Sequence, residues 1–243
     1  MNRSFFHGLK GSSVILRLRE TLSFFRTYAR DIGRFLLYAT FPVIIIENFL
    51  SYYATVYNYP PEIYSLSIII HFFYQPIYTG GLIFLISKIV SGEEWSIKGC
   101  LLVGFACWVK LLFVNIISSL FIILGLIAFI FPGLIVFARL SLAEFNVVLE
   151  RQRPIDALLR SSRVTKGFTW QIIGSVFLLS AMLLGIKLLI NLLIATFSLE
   201  YLPVFMVSEL IVIILWSSLT ILLFRFYDLA TKASQQLDIQ LAQ

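Results

Sequence analysis

Apolar residues run through this chain in long blocks, and the polar positions that interrupt them fall at recognisable places. Residues 35–57, 64–87, 111–131, 134–149, 168–197 and 203–225 each approach or exceed the about 20 mostly apolar residues that a membrane-spanning helix needs. Ahead of the first block the pattern changes. Leu18, Leu22, Phe25, Ala29 and Ile32 recur at helical spacing, with Arg19, Arg26, Arg30 and Arg34 on a neighbouring stripe. That alternation predicts an amphipathic helix over 14–34 lying in the headgroup region. Residues 99–131 form one apolar run, but a helix of that length would be about 50 Å against a hydrocarbon core of about 30 Å. Lys110 therefore predicts a boundary: a second interfacial helix over 95–109, a snorkelling lysine, then a span. Pro154 opens a third such stretch, where Ala157, Leu158 and Ser161 sit among Arg160, Arg163 and Lys166.

Turn signals separate the spans. Asn58-Tyr59-Pro60-Pro61, Pro132-Gly133 and residues 198–202 read as reversals, since proline ends a helix and glycine permits a tight turn. Pro76 and Gly80-Gly81 mark kink or close-packing positions in the second span. The predicted fold class is all-α: a polytopic membrane protein whose six transmembrane helices form three hairpins, each led by an amphipathic interfacial helix on the cytoplasmic side. The organisation expected is an arm and amphipathic helix at 1–34, a membrane domain at 35–230, and a loosely ordered polar tail at 231–243.

Composition agrees with this pattern. Of 243 residues, 59% are hydrophobic and 13% charged, against about 45–50% and 25% in soluble domains. No apolar stretch of signal-peptide type precedes Gly33, so the first span is expected to act as its own targeting signal. The net charge is +6. Apart from Lys110, Arg139, Lys187 and Arg225, all Lys and Arg residues fall in the N-terminal arm, the loops around 88–98 and 151–166, and the tail. The three opposite turns carry none. The positive-inside rule then places both termini and the charged loops in the cytoplasm. These basic stretches lie against the membrane surface, which argues against nucleic acid as a partner. Arg19, Arg26, Arg30, Arg151, Arg153, Arg160, Arg163 and Lys166 form a collar that sets topology or meets anionic phospholipid headgroups. Cys100 and Cys107 read as small buried residues, and two cysteines and two histidines spread along the chain predict no metal and no cofactor.

A set of short stretches recurs in order: FFR at 24–26, GG at 80–81, SG at 91–92, FPG at 131–133, RSS at 160–162 and LFRFY at 223–227. In order and spacing they resemble the YciC-like (UPF0259-type) bacterial inner-membrane proteins. The central part is similar to the membrane domain fused to some glycerophosphodiester phosphodiesterases. The resemblance implies a multipass membrane fold and location and carries no phosphodiesterase chemistry, which in those enzymes belongs to a soluble domain.

Enzyme signatures such as HExxH, GxSxG, a P-loop or GxGxxG are missing. The Glu93-Glu94 pair reads as a solvated loop. Six ionisable residues inside spans are the candidate site: Glu47, His71, Arg139, Glu144, Lys187 and Glu209. Counting along the helical rise, Arg139 and Glu209 lie about 9 Å, His71 about 10 Å and Lys187 about 15 Å from the turns, with Glu47 and Glu144 near the midplane. Lone charges there are costly, so they should meet one another or a wet cavity. Glu209 is expected as a shared acceptor for Lys187 and Arg139. Two functions follow. One is a non-enzymatic membrane-organising or lipid-associated scaffold with a membrane-protein partner. The other is a small-solute or lipid transporter or channel that uses the polar cluster.

Overall fold

A computed structural model describes residues 14–57, 62–197 and 201–241. Every regular element among the described residues is helical: α1 (Val14–Val56), α2 (Glu62–Ser91), α3 (Ile97–Ala128), α4 (Ile130–Leu140), α5 (Ala143–Glu150), α6 (Pro154–Val164), α7 (Thr169–Thr196) and α8 (Leu202–Leu241). Among them are 6 helical stretches long and apolar enough to cross a membrane, α4 and α5 together making one. Large apolar side chains such as Phe105, Phe113, Leu120, Phe177 and Leu188 point outward from α3 and α7. Water would penalise that surface and a bilayer does not. The chain is a multipass, all-α membrane protein. The arm before residue 14 and most of the turns expected near 58–62 and 198–202 lie outside the described residues.

The interfacial helices differ from expectation. α1 runs without a break through the anticipated boundary at residue 34, because no helix breaker stands there. Its buried stripe is Arg17, Thr21, Phe24, Ile32, Phe35 and Ala39, at helical spacing from end to end. Leu22, placed on the apolar face by the sequence pattern, is exposed. Lys110 likewise interrupts nothing, and α3 is one helix of 32 residues. At about 1.5 Å per residue it exceeds the hydrocarbon thickness, which a membrane helix accommodates by tilting or projecting. α6 is a separate helix opened by Pro154, but it folds back along α5. Asn146 Nδ2 donates to the Ala157 carbonyl (3.1 Å), the Leu142 N–H to Ser161 Oγ (3.1 Å), and Thr165 Oγ1 to the Arg139 carbonyl (3.3 Å). These pairs run in opposite senses along the two helices, which makes α5 and α6 antiparallel. The tail also departs from expectation, since α8 continues to Leu241.

Packing closes the long helices into a ring in the order α1, α2, α3, α4, α7, α8, with α8 returning to α1 and α5 set against α2 and α3. Two glycine contacts set its tightest points. A Cβ on Gly104 would collide with the Ile77 carbonyl, so α2 and α3 touch backbone to backbone, and Gly80 and Gly81 lie in the same seam. A Cβ on Gly125 would lie 2.9 Å from Gly133 Cα, which brings α3 and α4 together. Small residues permit this approach, the usual route to helix association where no hydrophobic effect drives it. The reversal between α3 and α4 falls at Phe129, whose backbone is extended, not at Pro132-Gly133. Pro132 instead occupies the first turn of α4, where the missing N–H costs little.

Candidate functional site

Four of the six ionisable candidates converge. Glu47 (α1), His71 (α2), Lys187 (α7) and Glu209 (α8) line one cavity of about 610 Å³ together with Asn191 and Ser208. Counted from the helix ends at Val56, Glu62, Thr196 and Leu202, they lie about 14, 14, 14 and 10 Å in. Four helices thus bring ionisable groups to one level.

Their pairing is partial. His71 Nδ1 lies 3.3 Å from Glu47 Oε1. Glu209 Oε2 accepts from Asn48 Nδ2 at 2.6 Å, and Asn48 in turn reaches the Ile44 carbonyl. Lys187 and Glu209 share the cavity wall without forming an ion pair, so the expected salt bridge is replaced by an amide from α1. The space between the two side chains is the physical reason.

The polar surface continues inward. His71 and Lys187 also line a second cavity of about 460 Å³, with Gln75, Tyr78, Thr79, Glu144, Ser217 and Thr220. Gln75 and Glu144 then reach a third cavity of about 380 Å³, where Asn115, Ser118, Ser119 and Ser141 join them. Arg139 lines none of the three. Its carbonyl accepts from Ser161 Oγ at 2.6 Å, and its buried Nε has no hydrogen-bond partner.

His71, Lys187 and Glu209 are exposed, and at the same level their helices expose the apolar residues Ile68, Phe72, Leu184, Leu188, Val207 and Ile211. The cleft thus holds ionisable groups at a level where the helices otherwise expose apolar side chains. Its chemistry is two carboxylates, one ammonium and one imidazole, a set that complements a molecule bearing both charges.

The collar residues Arg19, Arg26, Arg30, Arg151, Arg153, Arg163 and Lys166 are exposed; Arg160 pairs with Glu150. Cys100 and Cys107 are free thiols, and among the described residues no group of His, Cys, Asp and Glu could hold a metal ion. Sequence reasoning missed a second ionic cluster at the other end of α1. Arg17 donates to Gln171 Oε1 (2.6 Å) and lies over the Phe226 ring (4.9 Å), while Arg225 pairs with Glu20 and donates to the Arg17 carbonyl. Arg225 had read as a boundary residue and is only 1% exposed. The one local signal was that Arg17 and Thr21 precede Phe24 at helical spacing. Asn191 had a similar signal, lying four residues beyond Lys187 and so on the same helix face.

Fold and cleft define a multipass membrane protein with a polar cavity at the level of its spans. Within that class the chain is similar to UPF0259 membrane proteins of Buchnera aphidicola subsp. Acyrthosiphon pisum. It is 29% identical over 154 residues to those of strains 5A and APS, covering 61% of this chain and 59% of each relative. The match therefore spans less than two thirds of the relatives' length. No family model matches the chain, and no solved structure matches it.

Proposed function

We propose that this protein is a lipid-associated, non-enzymatic membrane protein that draws a zwitterionic phospholipid headgroup into the cleft between α1, α2, α7 and α8. The observation that carries this reading is the meeting of Glu47, His71, Lys187 and Glu209 at one depth, in a cavity between helices that otherwise expose apolar side chains at that level. A headgroup ammonium would meet the carboxylates and its phosphate the Lys187 ammonium, while the acyl chains stay among the exposed leucines. Ionisable groups at such depth are functional candidates by default, because leaving them unused costs stability. The similarity to UPF0259 membrane proteins is consistent with this and names no activity. The resemblance to the membrane domain of glycerophosphodiester phosphodiesterases supports a shared bilayer setting only.

The decisive experiment is a lipid inventory of the protein purified in mild detergent. The wild type should retain a zwitterionic phospholipid in stoichiometric amount, and Lys187→Gln and Glu209→Gln should lose it. Equal retention by all three sinks the reading. Flux of a water-soluble solute in liposomes, abolished by Glu209→Gln, would move the assignment to a transporter. Association with a partner protein through the same face, with no lipid retained, would make it a scaffold.

Orientation belongs to the same proposal. The exposed basic residues around α6 and at the start of α1 would face the cytoplasm of an inner membrane and meet anionic headgroups there. Labelling of single cysteines in a Cys-free variant should place Glu93 inside and Pro132 outside. Outside labelling at 93 would reverse the map.

A further inference from the structure

The third cavity differs in chemistry from the cleft. Its polar lining is Gln75 from α2, Asn115, Ser118 and Ser119 from α3, and Ser141 and Glu144 at the α4–α5 break. All six bring oxygen, one of them brings a negative charge, and no basic residue joins them. Lys187 and His71 line the neighbouring cavity, which Gln75 and Glu144 also border, and neither reaches this one. Among the described residues Glu144 makes no ion pair, and Asn115 shares the cavity wall with it. The Ser118 hydroxyl is buried on the cavity wall without a hydrogen-bond partner.

The break itself adds direction. α5 begins at Ala143 with Glu144 in its first turn and no side-chain cap, an end that favours a carboxylate in its ionised form. α4 ends at Leu140, and both Phe137 and Leu140 of its last turn line the same cavity. The carbonyl end of a helix favours a cation, and broken helices in membranes serve cations in this way. Ser161 of α6 ties down the Leu142 N–H and the Arg139 carbonyl, which holds the break open in one shape.

We infer that this cavity is a binding site for a monovalent alkali cation, with Glu144 as its single charged ligand. One carboxylate balances one positive charge, and an all-oxygen lining without histidine or thiolate selects a hard ion. A divalent ion would leave an uncompensated charge in the interior. The inference does not depend on the headgroup reading, since Glu47, His71, Lys187 and Glu209 of the cleft do not line this cavity and Glu144 does not line the cleft.

The test is thermal unfolding of the purified full chain in one detergent, in sodium, potassium or choline chloride at equal ionic strength. A ligand that binds only the folded state raises Tm in a saturable way. The wild type should unfold several degrees higher in sodium or potassium than in choline. Glu144→Gln should abolish that difference and Glu209→Gln should leave it intact, which keeps this outcome separate from the fate of the headgroup cleft. Should Glu144→Gln fail to fold, Ser118→Ala should shift the half-saturating cation concentration upward at least several-fold. Sodium NMR of the wild type should show line broadening that potassium or lithium relieves. Equal Tm in all three salts overturns the inference, and so does a cation effect that persists in Glu144→Gln. A Tm that follows pH alone would mean Glu144 carries a proton, and a larger rise with magnesium would mean the site takes two charges; either result defeats it.

Discussion

Two ionic clusters sit at opposite ends of α1, and the chain treats them in opposite ways. At the start of the helix, Arg17 and Arg225 are buried to about the limit, wrapped by Glu20, Gln171 and the Phe226 ring. Near its far end, Glu47 opens onto a cavity that His71, Lys187 and Glu209 share, and Asn48 donates to Glu209. The first cluster is closed, its two guanidiniums sharing one carboxylate, one side-chain amide and a ring face inside the core. The second lines a cavity, where His71 meets Glu47 while Lys187 and Glu209 stay unjoined. Ionisable residues in a membrane therefore have no single meaning. Packing density around them separates a lock from a receptacle.

The sharpest way to test that contrast is to remove one partner from the packed cluster. Glu20→Gln strands the Arg225 guanidinium in the interior and should destabilise the protein by about 3–5 kcal/mol. Denaturation in a single detergent measures it; a loss under about 1 kcal/mol would place this pair among surface ion pairs and erase the distinction. Next comes the helix break. Ser161→Ala leaves the buried Leu142 N–H without an acceptor and should cost about 1–3 kcal/mol. Ser208→Ala, on the cleft wall, should show no comparable loss, and equal effects would contradict the difference in packing. A double-mutant cycle on Glu47 and His71 should give a coupling of about 0.2–1 kcal/mol, because the imidazole is half-exposed. Coupling several times larger would make the cleft a second lock. Smallest of all, Lys187→Gln should change stability by no more than about 0.5 kcal/mol while removing the retained lipid, and a strongly destabilised Lys187→Gln protein would count against an open site.

What the sequence revealed follows from which interactions are local. Span positions were legible because hydropathy is a property of contiguous residues. Gly80 and Gly81 were legible as kink or packing positions because glycine gives up side-chain contact in an apolar helix, and the close approach of α3 decides for packing. Lys110 misled, since it invited a break where helix geometry has no reason to stop and an over-long helix can tilt. The interruption at Ser141–Leu142 left no trace of its own. Neither residue is a helix breaker, and the hydroxyl that stabilises the break comes from Ser161. The Arg225–Glu20 pair is equally silent, joining residues from the two ends of the chain. The candidate site was found by residue type, and its membership was settled by helix rotation. That is why Arg139, close in depth to the others, lines none of the three cavities.

The extended Phe129 has a consequence for how the protein is made. A single residue joins α3 to α4, and Gly125 meets Gly133 directly across the bend. No segment between them is long enough to wait in water while one helix enters the bilayer without the other. α3 and α4 would then enter the bilayer together, as one wedge closed at its tip. α3 is the more apolar of the two, so it would carry α4 with it, and with α4 the stretch that breaks around Glu144. Biogenesis of the polar interior would then depend on a seam of glycine that bears no charge itself.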